Sequence, residues 1–138
     1  MTVAYYALAE PSRYEIRATT DAALANWFSV SALPSLPFDH DRIVAAALTR
    51  LRGKIRYQPI GFELLSSKFT LSELQHLYEV ILGKPLDKRN FRKKILKMGF
   101  LKALRETQRG VRHRAARLFE FDAARYRQLA RSGFLFEL

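Results

Sequence analysis

Between Thr70 and Asp87 the sequence spells out one complete helix and the start of another, with almost no chain left to join them. Thr70-Leu71-Ser72-Glu73 has the form of a capping box: the threonine oxygen accepts from the amide three residues on, and the glutamate reaches back to the cap amide. Behind it Leu71, Leu74, Leu77, Tyr78, Ile81 and Leu82 recur at helical steps until Gly83 and Pro85 stop the helix. Asp87 can then cap a second helix, which carries Phe91, Ile95 and Met98 on one stripe. Two helices joined by so short a glycine-containing turn predict a helix-turn-helix.

After Gly99 the period of the pattern changes. Phe100-Leu101-Lys102-Ala103-Leu104 and Arg117-Leu118-Phe119-Glu120-Phe121 have strand composition, with the basic Arg109-Gly110 segment as the loop between them. Helix, turn, helix, hairpin is the order of a winged helix, expected over residues 57–138. A last helix is expected from an Asp122 cap to Gly133, with Ala123, Tyr126, Leu129 and Ala130 facing inward. The front of the chain reads differently. Val3 to Ala9 and Tyr14 to Ala18 are strand-like on either side of Glu10-Pro11-Ser12-Arg13, which predicts an edge hairpin, and Ala25 to Val30 is a further short strand. Leu33-Pro34-Ser35-Leu36-Pro37 interrupts regular structure. Asp39 or Asp41 then caps an amphipathic helix that carries Ile43, Val44, Ala47, Leu48 and Leu51 and ends near Gly53-Lys54. The expected fold class is α+β: a C-terminal winged helix-turn-helix preceded by a strand and helix segment over residues 1–56.

Charge indicates what such a fold would face. From Lys84 to Arg117 there are 13 Lys or Arg against Asp87 and Glu106 alone, a net of +11, while the rest of the chain carries 11 basic and 11 acidic side chains. A block of one sign on an otherwise neutral globular chain is the footprint of a polyanion-binding surface. Within it, Lys88, Arg89, Arg92, Lys93, Lys94 and Lys97 place six cations in ten residues without an acid, where an ordinary solvated helix mixes signs. Phe91, Ile95 and Met98 fall within about 60° of one another on a helical wheel and dock this helix, so its polar arc faces outward. Arg89 and Arg92 have the paired donors that suit guanine O6 and N7, and Asn90 has the donor and acceptor that suit adenine N6 and N7. Lys93, Lys94 and Lys97 suit phosphate, because a lysine is a point charge with no fixed fork. Lys88, and Thr70 and Ser72 at the head of the preceding helix, complete the DNA-facing set on that side. On the wing, Arg109, Arg112 and Arg114 can reach along a phosphate backbone or into a narrow minor groove. Double-stranded DNA is the expected partner.

Nothing in the chain proposes a nucleophile or a metal centre. Cysteine is absent, which excludes disulfides and thiolate metal sites. Phe38-Asp39-His40-Asp41 brings two carboxylates and an imidazole together, but at a helix start, where carboxylates cap amides and meet the positive end of the dipole. His76 falls mid-helix and His113 in the wing, so no second cluster completes a site. Gly83-Lys84 lacks the remainder of a phosphate-binding loop, and no Gly-x-Ser-x-Gly occurs. No metal, no cofactor and no catalytic residue is expected. The first residues lack a basic leader, and no run approaches the roughly 18 apolar residues needed to cross a bilayer, which predicts a cytoplasmic protein without a membrane contact.

Several segments taken together carry a family likeness. Tyr57-Gln58-Pro59-Ile60-Gly61-Phe62-Glu63-Leu64-Leu65, Lys68-Phe69-Thr70-Leu71-Ser72-Glu73-Leu74-Gln75, Tyr78-Glu79, Leu86-Asp87-Lys88-Arg89-Asn90-Phe91-Arg92-Lys93-Lys94 and Ala116-Arg117-Leu118-Phe119 resemble the NrtR-like, Nudix-related transcriptional regulators across residues 55–121. Upstream, Trp27-Phe28, Leu33-Pro34 and Phe38-Asp39-His40 are similar to the last portion of the Nudix domain that precedes the winged helix in that family. On this resemblance residues 1–56 are a truncated, C-terminal remnant of a Nudix-like domain. It implies a bacterial repressor acting as a homodimer, whose Nudix-like domain senses an ADP-ribose-like or sugar effector in control of NAD or sugar metabolism. Nudix hydrolases need Gly-x5-Glu-x7-Arg-Glu-x-x-Glu-Glu, whose glutamates hold the divalent cations that activate water. No Glu-Glu pair occurs in these 138 residues. The chain is therefore expected to be a fragment or truncated product, or to have its missing Nudix portion supplied by something else, with a complete DNA-binding module and no hydrolase activity. The same resemblance leaves a second reading, a Nudix-type ADP-ribose pyrophosphatase relative, fragmentary or inactive, with an accessory winged helix. A winged helix used for protein contacts or RNA is the third.

Overall fold

The computed structural model describes residues 4–11, 14–18, 23–112 and 114–138. Its elements follow in the order α1 (His40–Tyr57), α2 (Leu71–Leu82), α3 (Lys88–Lys97), β1 (Leu101–Thr107), β2 (Arg117–Phe121) and α4 (Ala123–Arg131). Single 3-10 turns lie at Val30–Ala32 and Ile60–Leu64.

The punctuation expected around the helix pair is present atom by atom. Thr70 Oγ1 accepts from the Glu73 amide at 3.1 Å, and Glu73 Oε2 accepts from the Thr70 amide at 2.7 Å, which closes the capping box of α2. The helix ends at Gly83, whose φ of 68° is left-handed and unfavourable for any residue with a Cβ. Asp87 Oδ1 accepts from the Asn90 amide at 2.7 Å and starts α3. A further lock spans the turn. Glu79 Oε1 accepts from the Leu86 amide at 2.9 Å and from Gln75 Nε2 at 3.0 Å, while Gln75 Nε2 also donates to the Leu86 carbonyl at 3.1 Å. The Leu86 amide first, and Gln75 second, hold the Glu79 carboxyl below its ordinary range. The angle between α2 and α3 is thus set by side chains as well as by glycine.

The hairpin is antiparallel, pairing Leu101 with Phe121, Lys102 with Glu120, Ala103 with Phe119 and, after an irregular step, Thr107 with Arg117. Residues 104–106 therefore oppose Leu118 alone, a bulge that bends β1. Phe69 adds a third edge by exchanging two backbone hydrogen bonds with Phe119, at 3.0 and 2.7 Å, so the hairpin is tied to the residue just before the α2 cap.

One core gathers these elements. Leu74 and Tyr78 of α2, Phe91 and Ile95 of α3, and Phe69, Phe100 and Phe119 beside the hairpin are all buried. Phe100 is fully enclosed, edge-on to Phe62, Phe121 and Tyr126 at 5.6–5.8 Å, while Phe62 stacks on Phe121 at 4.4 Å. Met98 completes the α3 stripe at the half-buried margin. This core does not divide at residue 56. Ile55 of α1 is fully buried within it, the Leu138 amide donates to the Arg56 carbonyl at 3.2 Å, and Arg52 Nε donates to the Ile81 carbonyl at the end of α2.

Several expectations for the flanks are corrected. Residues 4–9, 14–18 and 25–30 form no strands among the described residues; Val3, Ser12 and Arg13 lie outside them. The backbone bonds here are local, from the Tyr14 amide to the Pro11 carbonyl at 3.3 Å and from the Ala32 amide to the Ser29 carbonyl at 3.0 Å. β-branched and aromatic composition expresses fitness for a pleated surface, and without a partner edge to satisfy the backbone no ladder forms. Helix α1 starts at His40 and runs past Gly53 to Tyr57, because one glycine costs about 1 kcal/mol whereas burying Ile55 two residues later returns more. Its cap residue Asp39 receives no side-chain hydrogen bond, its carbonyl accepting from Arg42 and Ile43 instead. At the far end Asp122 does cap α4, accepting from the Arg125 amide at 2.8 Å, but only Tyr126 and Leu129 turn inward; Ala123 and Ala130 are exposed. Phe136 fills the space beneath instead.

Candidate nucleic-acid interface

The short turn after Gly83 presents the amino end of α3 at the surface. Lys88, Arg89 and Asn90 are exposed there, and with Asp87 and Arg92 they line a shallow concavity. Phe91 and Ile95 fix this orientation by burying the opposite stripe. Among the described residues the side chains of Arg89 and Asn90 have no hydrogen-bond partner, so their donors and acceptor are presented to solvent. Lys93, Lys94 and Lys97 are exposed farther along the same helix, outside the concavity.

A second and larger depression runs between the helix pair and the hairpin. Its volume is about 820 Å³ and its walls are Leu71 and Ser72 at the start of α2, Lys88 and Arg92 of α3, and Arg105, Thr107, Arg114, Ala115, Ala116, Arg117 and Phe119 of the hairpin. Five of these residues are cationic and none is acidic. The groove also receives the positive end of the α2 dipole. Arg105 and Arg117 line the same wall, and Arg117 Nε donates to the Leu104 carbonyl at 2.8 Å across the irregular step. Arg92 bridges the two helices, donating from Nη2 to Ser72 Oγ at 2.9 Å while its Nε is closed off from solvent without a partner.

Of the residues expected to face DNA, the groove therefore unites Ser72, Lys88, Arg92 and Arg114, and the adjoining concavity adds Arg89 and Asn90. Arg109 and Arg112 are exposed on the hairpin tip, on either side of Gly110 with its φ of 72°, and line neither depression; His113 lies outside the described residues. Thr70 leaves the surface set. It is 1% exposed, and its hydroxyl is engaged with the Glu73 amide and carboxylate, so its role is to hold the helix that presents Ser72. Arg105, Thr107 and Arg117 were missed. The available signal was their position, since Arg105 and Thr107 stand two residues apart on a strand and Thr107 pairs with Arg117.

Among the described residues no three His, Asp or Glu side chains stand close enough to hold a metal ion, and no helix is long and apolar enough to cross a membrane.

Known proteins are similar to this chain in fold. Residues 61–121 match the family described as the NrtR DNA-binding winged helix domain. The crystal structure of Shewanella oneidensis NrtR complexed with a 27mer DNA is similar with a TM-score of 0.55 and 36% identity, over 63% of this chain and 39% of that one. The crystal structure of Shewanella oneidensis NrtR gives 0.52 and 38% over the same shares. A curated relative from Acinetobacter baylyi, described as an ADPR responsive transcriptional repressor NtrR, is 32% identical over 128 residues, 91% of this chain and 50% of its own length. The chain thus spans about half the length of the curated relative it matches. Residues 61–121 are thus a winged helix that matches the NrtR DNA-binding domain family.

Proposed function

We propose that this chain is the DNA-binding part of a bacterial transcriptional repressor, reading base edges with the amino end of α3 and gripping phosphates with the groove and the wing. The observation that carries this reading is the union, in one acid-free groove, of cations from α3 and from both strands and the loop of the hairpin. Arg89 and Asn90 take the base-reading role, and Lys88, Lys93, Lys97, Arg109, Arg112 and Arg114 the phosphate role. A homodimer on a two-fold operator is the assembly this reading calls for.

The relative's description supports an ADP-ribose-like effector, bound by a sensing domain of which residues 1–56 are the trailing end. The 128-residue match extends well upstream of residue 57, which supports that assignment. No catalysis is assigned to this chain, and a cytoplasmic location follows from the role. Incubation with ADP-ribose and Mg²⁺ or Mn²⁺ should give no turnover above a protein-free control; metal-dependent hydrolysis by clean material would favour the pyrophosphatase reading.

Competition between a duplex selected from a random library and an unselected duplex tests the DNA reading. Asn90→Ala should cost about 1–3 kcal/mol on the selected duplex and much less on the unselected one, whereas Lys97→Ala should weaken both alike. Equal losses for the two variants on both duplexes would mean that α3 does not enter the major groove by its amino end.

A further inference from the structure

Resting on the DNA-binding reading, we infer that Arg92 is not a base reader but a backbone-phosphate clamp, held in place by Ser72 and completed by Arg105 and Arg117 of the hairpin. By sequence Arg92 stands beside Arg89 as a second guanine reader, and the geometry separates the two. Reading guanine O6 and N7 requires two parallel N–H groups from one edge of the guanidinium. In Arg92 Nε is sealed from solvent and one Nη2 N–H is donated to Ser72 Oγ at 2.9 Å, which takes the Nε/Nη2 edge out of base reading. Arg92 borders the concavity of Arg89 and Asn90 as well as the groove, but only in the groove does it stand with cations of the hairpin.

The charge around it fits an anion. Lys88, Arg105, Arg114 and Arg117 line the same groove, and no carboxylate does. The nearest acid along α2, Glu73, is spent on the amide and hydroxyl of Thr70 at 2.7 and 2.9 Å. A neutral base edge would bring no negative charge to Arg92, Arg105 and Arg117, whereas a phosphate neutralises them. Ser72 contributes no charge; it is a positioning residue that fixes where the guanidinium sits.

The test is fluorescence anisotropy with the whole chain across a salt series, on an unselected duplex and on one selected by the wild-type protein, with the thermal midpoint of each variant measured alongside. Arg92→Ala should weaken both duplexes by the same factor and reduce the salt slope by about one unit. Arg92→Lys should keep the slope while binding several-fold more weakly, because a lysine cannot hold Ser72 and face the groove together. Ser72→Ala should also keep the slope and lose several-fold, because position but no charge is removed. Arg105→Ala and Arg117→Ala should each reproduce the slope change of Arg92→Ala. An Arg92→Ala protein with a wild-type thermal midpoint, unchanged slope and flattened preference between the duplexes would overturn the inference and restore Arg92 as a reader. Ser72→Ala with wild-type affinity would overturn the positioning role. Failure of the wild-type protein to bind either duplex would instead overturn the DNA-binding reading on which the inference stands.

Discussion

Salt is the perturbation that most directly questions the interface. The groove supplies the cations Lys88, Arg92, Arg105, Arg114 and Arg117. If each meets one phosphate, counterion release sets the slope of log K against log salt at roughly −5. Arg109 and Arg112 on the exposed hairpin tip raise this to roughly −6 if the wing also touches the backbone. Between about 50 and 200 mM salt, the affinity should accordingly fall by about three to four orders of magnitude. The double substitution Arg109→Gln with Arg112→Gln should return the slope to roughly −5 without altering the fold, because neither side chain touches the core. Anisotropy titrations of a labelled unselected duplex at four or five salt concentrations measure both proteins. Measurable binding with a flat salt response would refute the electrostatic argument as a whole. A double variant that kept the wild-type slope would refute the wing contact alone and leave the groove in place.

Two further expectations concern how the site is held. Ile95 is fully buried and docks α3, so Ile95→Ala should cost about 2–5 kcal/mol in urea unfolding, and a loss below about 1 kcal/mol would show that the helix is seated by something else. Glu79 is held below the ordinary carboxylate range by the Leu86 amide and Gln75. Its contribution is therefore complete above the unfolded-state carboxylate pKa and is lost as the pH falls through the depressed folded value. Glu79→Gln should flatten the acid limb of a thermal-stability profile, and an unchanged limb would assign acid sensitivity to other carboxylates.

Much of the interface was legible in the sequence because its signals are local. The capping box at Thr70 and Glu73, the left-handed stop at Gly83 and the cap at Asp87 each depend on residues within a few positions of one another, so the pair α2–α3 and the outward face of α3 could be read directly. The block of positive charge was equally plain. Local composition misled where a partner was needed. The apolar segments before residue 31 look like strands, yet a strand exists only by pairing. Helix α1 outlasts its glycine because Ile55 reaches a core that no neighbouring residue reveals. The division of labour among the cations was also decided in three dimensions. Arg89 and Arg92 are alike in type and three residues apart, but one stands exposed and the other is tied to Ser72, twenty residues earlier, with its Nε enclosed. Arg105 and Arg117 share a groove wall across an irregular step in the hairpin register, and Phe69 joins Phe119 through a bridge spanning the whole helix pair. Charge, caps and periodicity are written residue by residue; which charges share a groove depends on long-range packing and register, and these exist only once the chain has folded.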